Sequence, residues 1–230
     1  MRVAILQSCY IPWKGYFDII GQADIFVVYD DVQYRKNHWH NRNKIRGPNG
    51  PQWLTIPVSK SLGSFHSIDT TEIARPFAET HWKTIEQFYS RSRHFQRTSQ
   101  FLAPLFERCA DMRLLSQVNF MFMEAIAGEL GFTTKFVWSN SLATQGAKSD
   151  RVLSICETLG ASRYLSGPAA RSYLQVDKFA EVGIEVEWMD YSGYPEYPQM
   201  HDPFDHQVSI IDLLFNTGGQ AAEFMKSRRP

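Results

Sequence analysis

The sequence predicts an α/β fold with a mainly parallel sheet, Rossmann-like and three-layered, and three observations lead there. Short runs rich in β-branched and aromatic residues recur along the chain, each closed by polar or turn-forming residues, as buried strands are. Helical patterns separate several of these runs, and such alternation signals parallel pairing with helices on both faces. The chain has 230 residues, 43% of them hydrophobic, which suits one domain with a sizeable core and is too apolar for a disordered protein.

Six runs read as strands: RVAIL (2–6), DIFVVYD (24–30), QWLTIPV (52–58), TKFVWS (134–139), SRYLSG (162–167) and IEVEWMDY (184–191). A helix over Gly15–Ala23 follows the first, and helices over Ser149–Leu159 and Val176–Val182 separate the later ones. Between about residues 75 and 131, three helical patterns follow one another: Pro76–Arg91, Arg97–Cys109 and Leu114–Leu130. They break the alternation and mark an inserted helical subdomain or a long helical crossover. Ser209 precedes the apolar run IIDLLF with Asp212 three residues on, a capping box with aspartate for the usual glutamate. That helix should stop near Gly218 and Gly219, which suit a left-handed cap, and the tail AAEFMKSRRP should be loosely held. Without repeat, low-complexity tract or linker, residues 1–230 are expected to form a single domain.

Composition excludes several function classes. Twenty-four basic and 24 acidic residues give zero net charge, so no global field draws the chain to nucleic acid or anionic lipid. Cys9, Cys109 and Cys156 are odd in number and far apart, which argues against a disulfide framework and a zinc site. No apolar run reaches the length of a secretory signal core or a membrane span, so the expected compartment is the cytoplasm. GxGxxG and GxxxxGK[ST] are both missing, so neither a dinucleotide nor a P-loop nucleotide site is expected.

Chemistry concentrates in the segment from Asp30 to Gly50. Arg35, Lys36, Arg42, Lys44 and Arg46 occur there with no acid after Asp31, which reads as a local anion site or as a solvated basic loop. Asp30 and Asp31 follow an apolar strand directly, and ligands in open α/β sheets bind beyond the carboxyl ends of strands. In the functional reading Arg42 or Lys44 holds a phosphate or carboxylate, and His40 or Asp31 moves a proton. The bland reading pairs Asp30 or Asp31 with Arg42 and leaves His40 as an ordinary loop histidine. His38 and His40 lack a third ligand at a telling distance, so no metal is predicted.

The turn after the first strand is a second candidate wall, with Gln7, Tyr10, Trp13, Lys14 and Tyr16 crowded together. Gly15 allows close backbone approach, and a helix N-terminus attracts anions. Trp13 and Tyr16 read equally well as core. Cys9 is a nucleophile only with a depressed pKa or an adjacent base, and otherwise a small buried hydrophobe. Ser166 and Gly167 stand just past another strand with Arg171 nearby, which suits an oxyanion or a plain strand-to-turn transition.

Taken together, QSCYIPWKGYFDII, FVVYDDVQYRKNHWHNRNKI, QWLTIPV, YLSGPAARSYL and SIIDLLFNTGG resemble the WbqC-like family. The likeness extends to about Gly219, and the helical middle is its least diagnostic part. It carries the family pattern onto Gln7, Tyr10, Pro12, Gly15, Tyr16, Asp30, Asp31, Trp39, Asn41, Arg42, Asn43, Ser166, Gly167, Pro168, Arg171 and Asp212. Leu6 stands where many members have histidine, and Ser8 and Cys9 where proline and asparagine or tyrosine are usual, so neither a histidine at position 6 nor a shared cysteine nucleophile is expected here.

The resemblance implies surface polysaccharide or O-antigen biosynthesis, with acyl or aminoacyl transfer to a nucleotide- or lipid-linked amino sugar. In that reading Arg42 and Lys44 hold phosphates, His40 or Asp31 takes the proton, and Ser166 steadies the oxyanion. No cofactor is predicted; the expected partners are a sugar phosphate or sugar nucleotide and an acyl donor or carrier protein. The alternatives are a non-catalytic sugar-nucleotide carrier and, less favoured, a nucleic-acid binder, because basic residues interleave with Tyr34, Trp39 and His40.

Overall fold

The computed structural model describes residues 1–59 and 66–227. Its centre is a five-stranded parallel sheet: β1 (Arg2–Leu6), β2 (Ile25–Val28), β5 (Lys135–Trp138), β6 (Arg163–Ser166) and β7 (Glu185–Trp188), in the order β5-β2-β1-β6-β7. From β1 the chain moves outward through α1 (Lys14–Gln22) to β2 and then β5. It returns through α5 (Ser149–Thr158) to the other side of β1, forms β6, and reaches β7 by way of α6 (Val176–Glu181). The order of travel therefore reverses between β1 and β6.

Alternate side chains of the strands feed two cores. Ala4, Phe26, Val28 and Leu165 face a large cluster with α1 and the helical middle, while Val3, Ile5, Val27 and Tyr164 face a smaller one with Ile155 and Phe179. Burial on both faces explains why the strands read as continuous apolar runs.

The basic segment departs from a loop. Arg42–Gly47 is a strand, β3, paired antiparallel with β4 (Gly50–Thr55) through a Pro48–Asn49 turn. Asparagine at 43 hides the alternation, because only Ile45 offers an apolar inward side chain between Arg42, Lys44 and Arg46. QWLTIPV accordingly belongs to this two-stranded ribbon rather than to the parallel sheet, and its strand stops at Thr55, just before Pro57 with its missing donor.

The helical middle is α2 (Ala78–Tyr89), α3 (Phe95–Arg108) and α4 (Leu115–Glu129). Its polar side chains reach the carboxyl edge of the sheet: His81 Nδ1 lies 2.9 Å from the Tyr10 hydroxyl, and Asn119 bonds the Ser8 hydroxyl and the His40 carbonyl, each at 2.9 Å.

The last helix, α7 (Ile210–Thr217), starts at Ser209 and stops at Gly218 (φ 56°), as the sequence suggests. Asp212 does not complete the capping box. Its buried carboxylate accepts from Tyr89 (2.9 Å), Tyr197 (2.7 Å) and Gln199 (2.7 Å), and burial raises its pKa. The tail is not loose through Ser227: Ala221 and Met225 are buried, and the amides of Lys226 and Ser227 donate to Asp18 at 3.1 and 2.7 Å. The final three residues of that tail lie outside the described ones.

Candidate functional site

Beyond β1 the chain turns sharply, and the turn is strained. Ile11 has φ 37°, a left-handed value that a β-branched residue rarely adopts. Neighbours hold it there: Asn43 donates to the carbonyls of Tyr10 (3.1 Å) and Ile11 (2.8 Å), and the Ser209 hydroxyl donates to Ile11 at 2.7 Å. Strain that persists under several hydrogen bonds is typical of positions that shape a site. The turn throws Trp13 back over its own helix, where a Cβ on Gly15 would stand 2.3 Å from an indole carbon. Gly15 therefore makes room for a tryptophan, not for a ligand's phosphate.

Opposite Trp13 runs a strap from Met189 to Ser209. Tyr191 and Tyr194 meet the indole edge-on, with centroids 5.1 and 5.9 Å away. Between turn, ribbon and strap lies a cavity of about 560 Å³, lined by Cys9, Pro12, Trp13, Tyr16, Trp39, Asn43, Tyr191, Gly193, Tyr194, His206 and Gln207. That volume is ordinary for a small-molecule site. A Cβ on Gly167 would stand 3.6 Å from the Tyr191 hydroxyl, so the cavity lies over the carboxyl ends of β1 and β6, at the switch point.

Lys14 anchors the strap from below. It is buried, donates to the Pro195 carbonyl at 3.1 Å and lies over the rings of Tyr194 (4.9 Å) and Tyr197 (5.0 Å). Burial lowers its pKa to about 8, with Asp18 and Asp212 pulling the other way. From the tail, Lys226 reaches Asp190 (3.2 Å) and the Tyr194 ring (5.3 Å).

The cavity's own polar groups are neutral near pH 7. Burial, with help from Asp30, pushes the Cys9 thiol far above its usual range, which removes it as a thiolate nucleophile. Tyr16 donates to the Gln7 carbonyl at 2.9 Å, and burial pushes Tyr191 up to about 12. His206 packs edge-on against Phe204, and burial with the nearby Lys14 charge lowers its pKa, so it is an unprotonated imidazole.

The surface beyond Trp39 is different. Trp39 and Trp53 are 40% and 41% exposed, with ring centroids 5.3 Å apart. The Arg42 guanidinium lies 4.3 Å and the Lys44 ammonium 5.3 Å from the Trp53 centroid, while Arg42 also donates to the Asn37 carbonyl at 2.6 Å. Arg46 turns away and donates to the carbonyls of Asp202 (2.7 Å) and Pro203 (2.9 Å), which ties ribbon to strap.

The residues expected to move protons stand elsewhere. Asp30 is buried and accepts the Ser8 amide (2.7 Å) and hydroxyl (2.6 Å); burial raises its pKa to about 6 against those bonds. His40 is fully buried, its Nδ1 3.0 Å from the Ser8 carbonyl, and burial lowers its pKa to about 4. Asp31 pairs with Arg151 and accepts from Ser139 at 2.5 Å, so its partner is Arg151 rather than Arg42. Ser166 is buried beside Tyr164 on the opposite face of the sheet, Arg171 lies 5.2 Å over Trp188, and Asn41 donates to the Ile56 carbonyl at 2.8 Å. Tyr10 is likewise buried, against His81. Of the predicted substrate contacts, Trp13, Trp39 and Asn43 line the cavity; Arg42 and Lys44 lie over Trp53, which touches Trp39, while the Gln7 carbonyl accepts from the lining residue Tyr16 and Gly167 lies near the Tyr191 hydroxyl.

Tyr191, Tyr194, His206 and Gln207 escaped the sequence reading, although YSGYPEYPQMHDPFDHQ, dense in aromatic residues and proline, was a visible signal. An open, doubly wound α/β sheet with a cavity at its switch point defines the class of this protein. The chain belongs to the WbqC-like protein family, whose model matches residues 7–224. It is 40% identical over 233 residues to the uncharacterized protein Rv1507c of Mycobacterium tuberculosis, an alignment covering 98% of this chain and 97% of that one. No solved structure matches the chain. Among the described residues no helix is long and apolar enough to cross a membrane, and no group of three or more His, Cys, Asp or Glu side chains is arranged to hold a metal.

Proposed function

We propose that the cavity takes the sugar of an activated, nucleotide- or lipid-linked amino sugar, and that the protein is an acyl or aminoacyl transferase of surface polysaccharide biosynthesis. The observation that carries this reading is an aromatic cavity at the switch point whose wall residue Trp39 meets Trp53, over which Arg42 and Lys44 lie. Aromatic rings suit the apolar faces of a sugar, and the two cations suit the phosphate that links it to its carrier. The sugar amine attacks the donor's carbonyl carbon; a C–N bond forms and the bond to the donor's leaving group breaks. His206, unprotonated and on the cavity wall, accepts the amine's proton and returns it to the leaving group. Cys9 stays a thiol, so transfer is direct rather than through a thioester.

Thermal shift against sugar nucleotides, amino-sugar 1-phosphates and oligonucleotides, followed by mass detection of acylated sugar with thioester and aminoacyl donors, tests this. The expected result is stabilisation by the amino-sugar compounds and product formation that His206→Gln lowers by about a hundredfold with affinity retained. Saturable binding without product, whatever the donor, identifies a carrier of sugar nucleotides. Stabilisation by oligonucleotides alone sinks both readings.

A further inference from the structure

The indoles of Trp39 and Trp53 are set apart by their exposure. Among the described residues, Trp39 and Trp53 are two of only six large hydrophobic side chains left exposed, and they touch each other. Leaving two neighbouring indoles in water forgoes burial that the rest of the chain achieves, and such exposed apolar pairs mark contact sites. The pair is also ordered. Trp53 stands directly across the ribbon from Lys44 in the β3–β4 register, with Arg42 on the same face two residues before. Contacts therefore run from Arg42 to Trp53 to Trp39, and Trp39 is itself part of the cavity wall. From residue 32 to residue 68 the chain has no acidic residue, so nothing in that stretch neutralises the row.

We infer that this row is a subsite for a nucleoside diphosphate: the base extends the stack on Trp39 and Trp53, and the diphosphate lies across Arg42 and Lys44. The inference rests on the sugar-binding reading of the adjoining cavity and narrows it, because it selects a nucleotide-linked over a lipid-linked substrate. Planar π-faces beside cations are what bases and phosphates require together, whereas a polyprenyl chain needs a long apolar track. Stacking is tolerant of base identity, so the row selects the nucleotide as a class and leaves the choice of sugar to the cavity.

The test is titration calorimetry, with tryptophan quenching as second readout, using UDP, GDP, inorganic pyrophosphate, glucosamine 1-phosphate and a short polyprenyl phosphate in detergent. Wild type and Trp53→Ala are compared, since Trp53 is outside the cavity wall; Trp53→Phe, which keeps a ring, covers the case in which the alanine variant misfolds. Both nucleotides should bind and quench, Trp53→Ala should weaken them roughly tenfold or more, and Trp53→Phe should fall between. Pyrophosphate and glucosamine 1-phosphate, which carry no base, should be weakened less than the nucleotides by Trp53→Ala and be unchanged by Trp53→Phe, which keeps a ring beneath Arg42 and Lys44. Equal nucleotide affinity in wild type and variants, or binding of polyprenyl phosphate but not of nucleotides, overturns the subsite. If nucleotides bind in a Trp53-dependent way while glucosamine 1-phosphate does not bind, the subsite stands and the sugar-cavity reading falls.

Discussion

The carboxyl edge of the sheet has two flanks, and they use their residues in opposite ways. Beyond β2 and β5 lie Asp30, Asp31, Ser139, Arg151 and His40, the kinds of side chain that catalysis employs. Most of their polar atoms are already engaged: Asp30 by Ser8, Asp31 by Arg151 and Ser139, His40 Nδ1 by the Ser8 carbonyl, while His40 Nε2 is buried without a hydrogen-bond partner. Beyond β1 and β6 the residues are mostly aromatic and uncharged, yet that flank encloses the open space. Reactive residue types on an edge do not mark the site when they satisfy each other; the site is where rings hold two segments apart and leave volume between them.

The comparison breaks most visibly at Asp30. Asp30→Ala strips the acceptor from a buried amide and a buried hydroxyl of Ser8, and each unsatisfied group costs about 1–3 kcal/mol. The expected loss is about 3 kcal/mol in urea denaturation, with sugar-phosphate affinity of the folded protein changed far less, because Asp30 is not in the cavity lining. A large drop in affinity at unchanged stability would move the site to the acid flank.

Gly15→Ala is the converse. The new methyl would stand 2.3 Å from an indole carbon of Trp13, so the ring must leave its place against Tyr191 and Tyr194. Alanine at a helical position gains up to about 1 kcal/mol over glycine, which offsets part of the strain. Calorimetry should show affinity for sugar phosphates reduced about tenfold, the loss of roughly 1.4 kcal/mol of contact, while the melting temperature moves little. If affinity survives, Trp13 is core and not wall.

These two positions also show what was legible in advance. The parallel sheet and its helices were, because burial on both faces writes long apolar runs into β1, β2 and β6. The ribbon was not, because its inward face is Asn43 and Ile45, and an asparagine recruited to hold a strained turn erases the alternation that marks a strand. Arg42 and Lys44 were visible as a charge run, and both stand over Trp53, which touches the cavity-wall residue Trp39. The roles given to Asp31 and Ser166 depend on what faces them, and Arg151, 120 residues away in sequence, carries no mark of its partner. The strap was missed for the complementary reason: tyrosine, proline and histidine in irregular order have no periodicity, so only tertiary contacts turn them into a wall.

The smallest effect separates the flanks by pH. His40 and His81 have pKa values lowered to about 4 by burial, so between pH 4 and 6.5 the unfolded chain binds more protons there and stability rises with pH. Asp30 has the opposite sign: its pKa is raised to about 6, the folded protein holds the extra proton between about pH 4 and 6, and stability falls as pH rises through that window. The three partly cancel in the wild type, leaving a shallow net rise. Asp30→Asn keeps an acceptor for the Ser8 amide and removes the opposing titration, so its urea midpoint should climb more steeply from pH 4.5 to 6.5 than that of the wild type. Parallel pH profiles for the two proteins would mean that Asp30 is ionised throughout that range, and the acid flank would then carry a charge free to serve the neighbouring cavity.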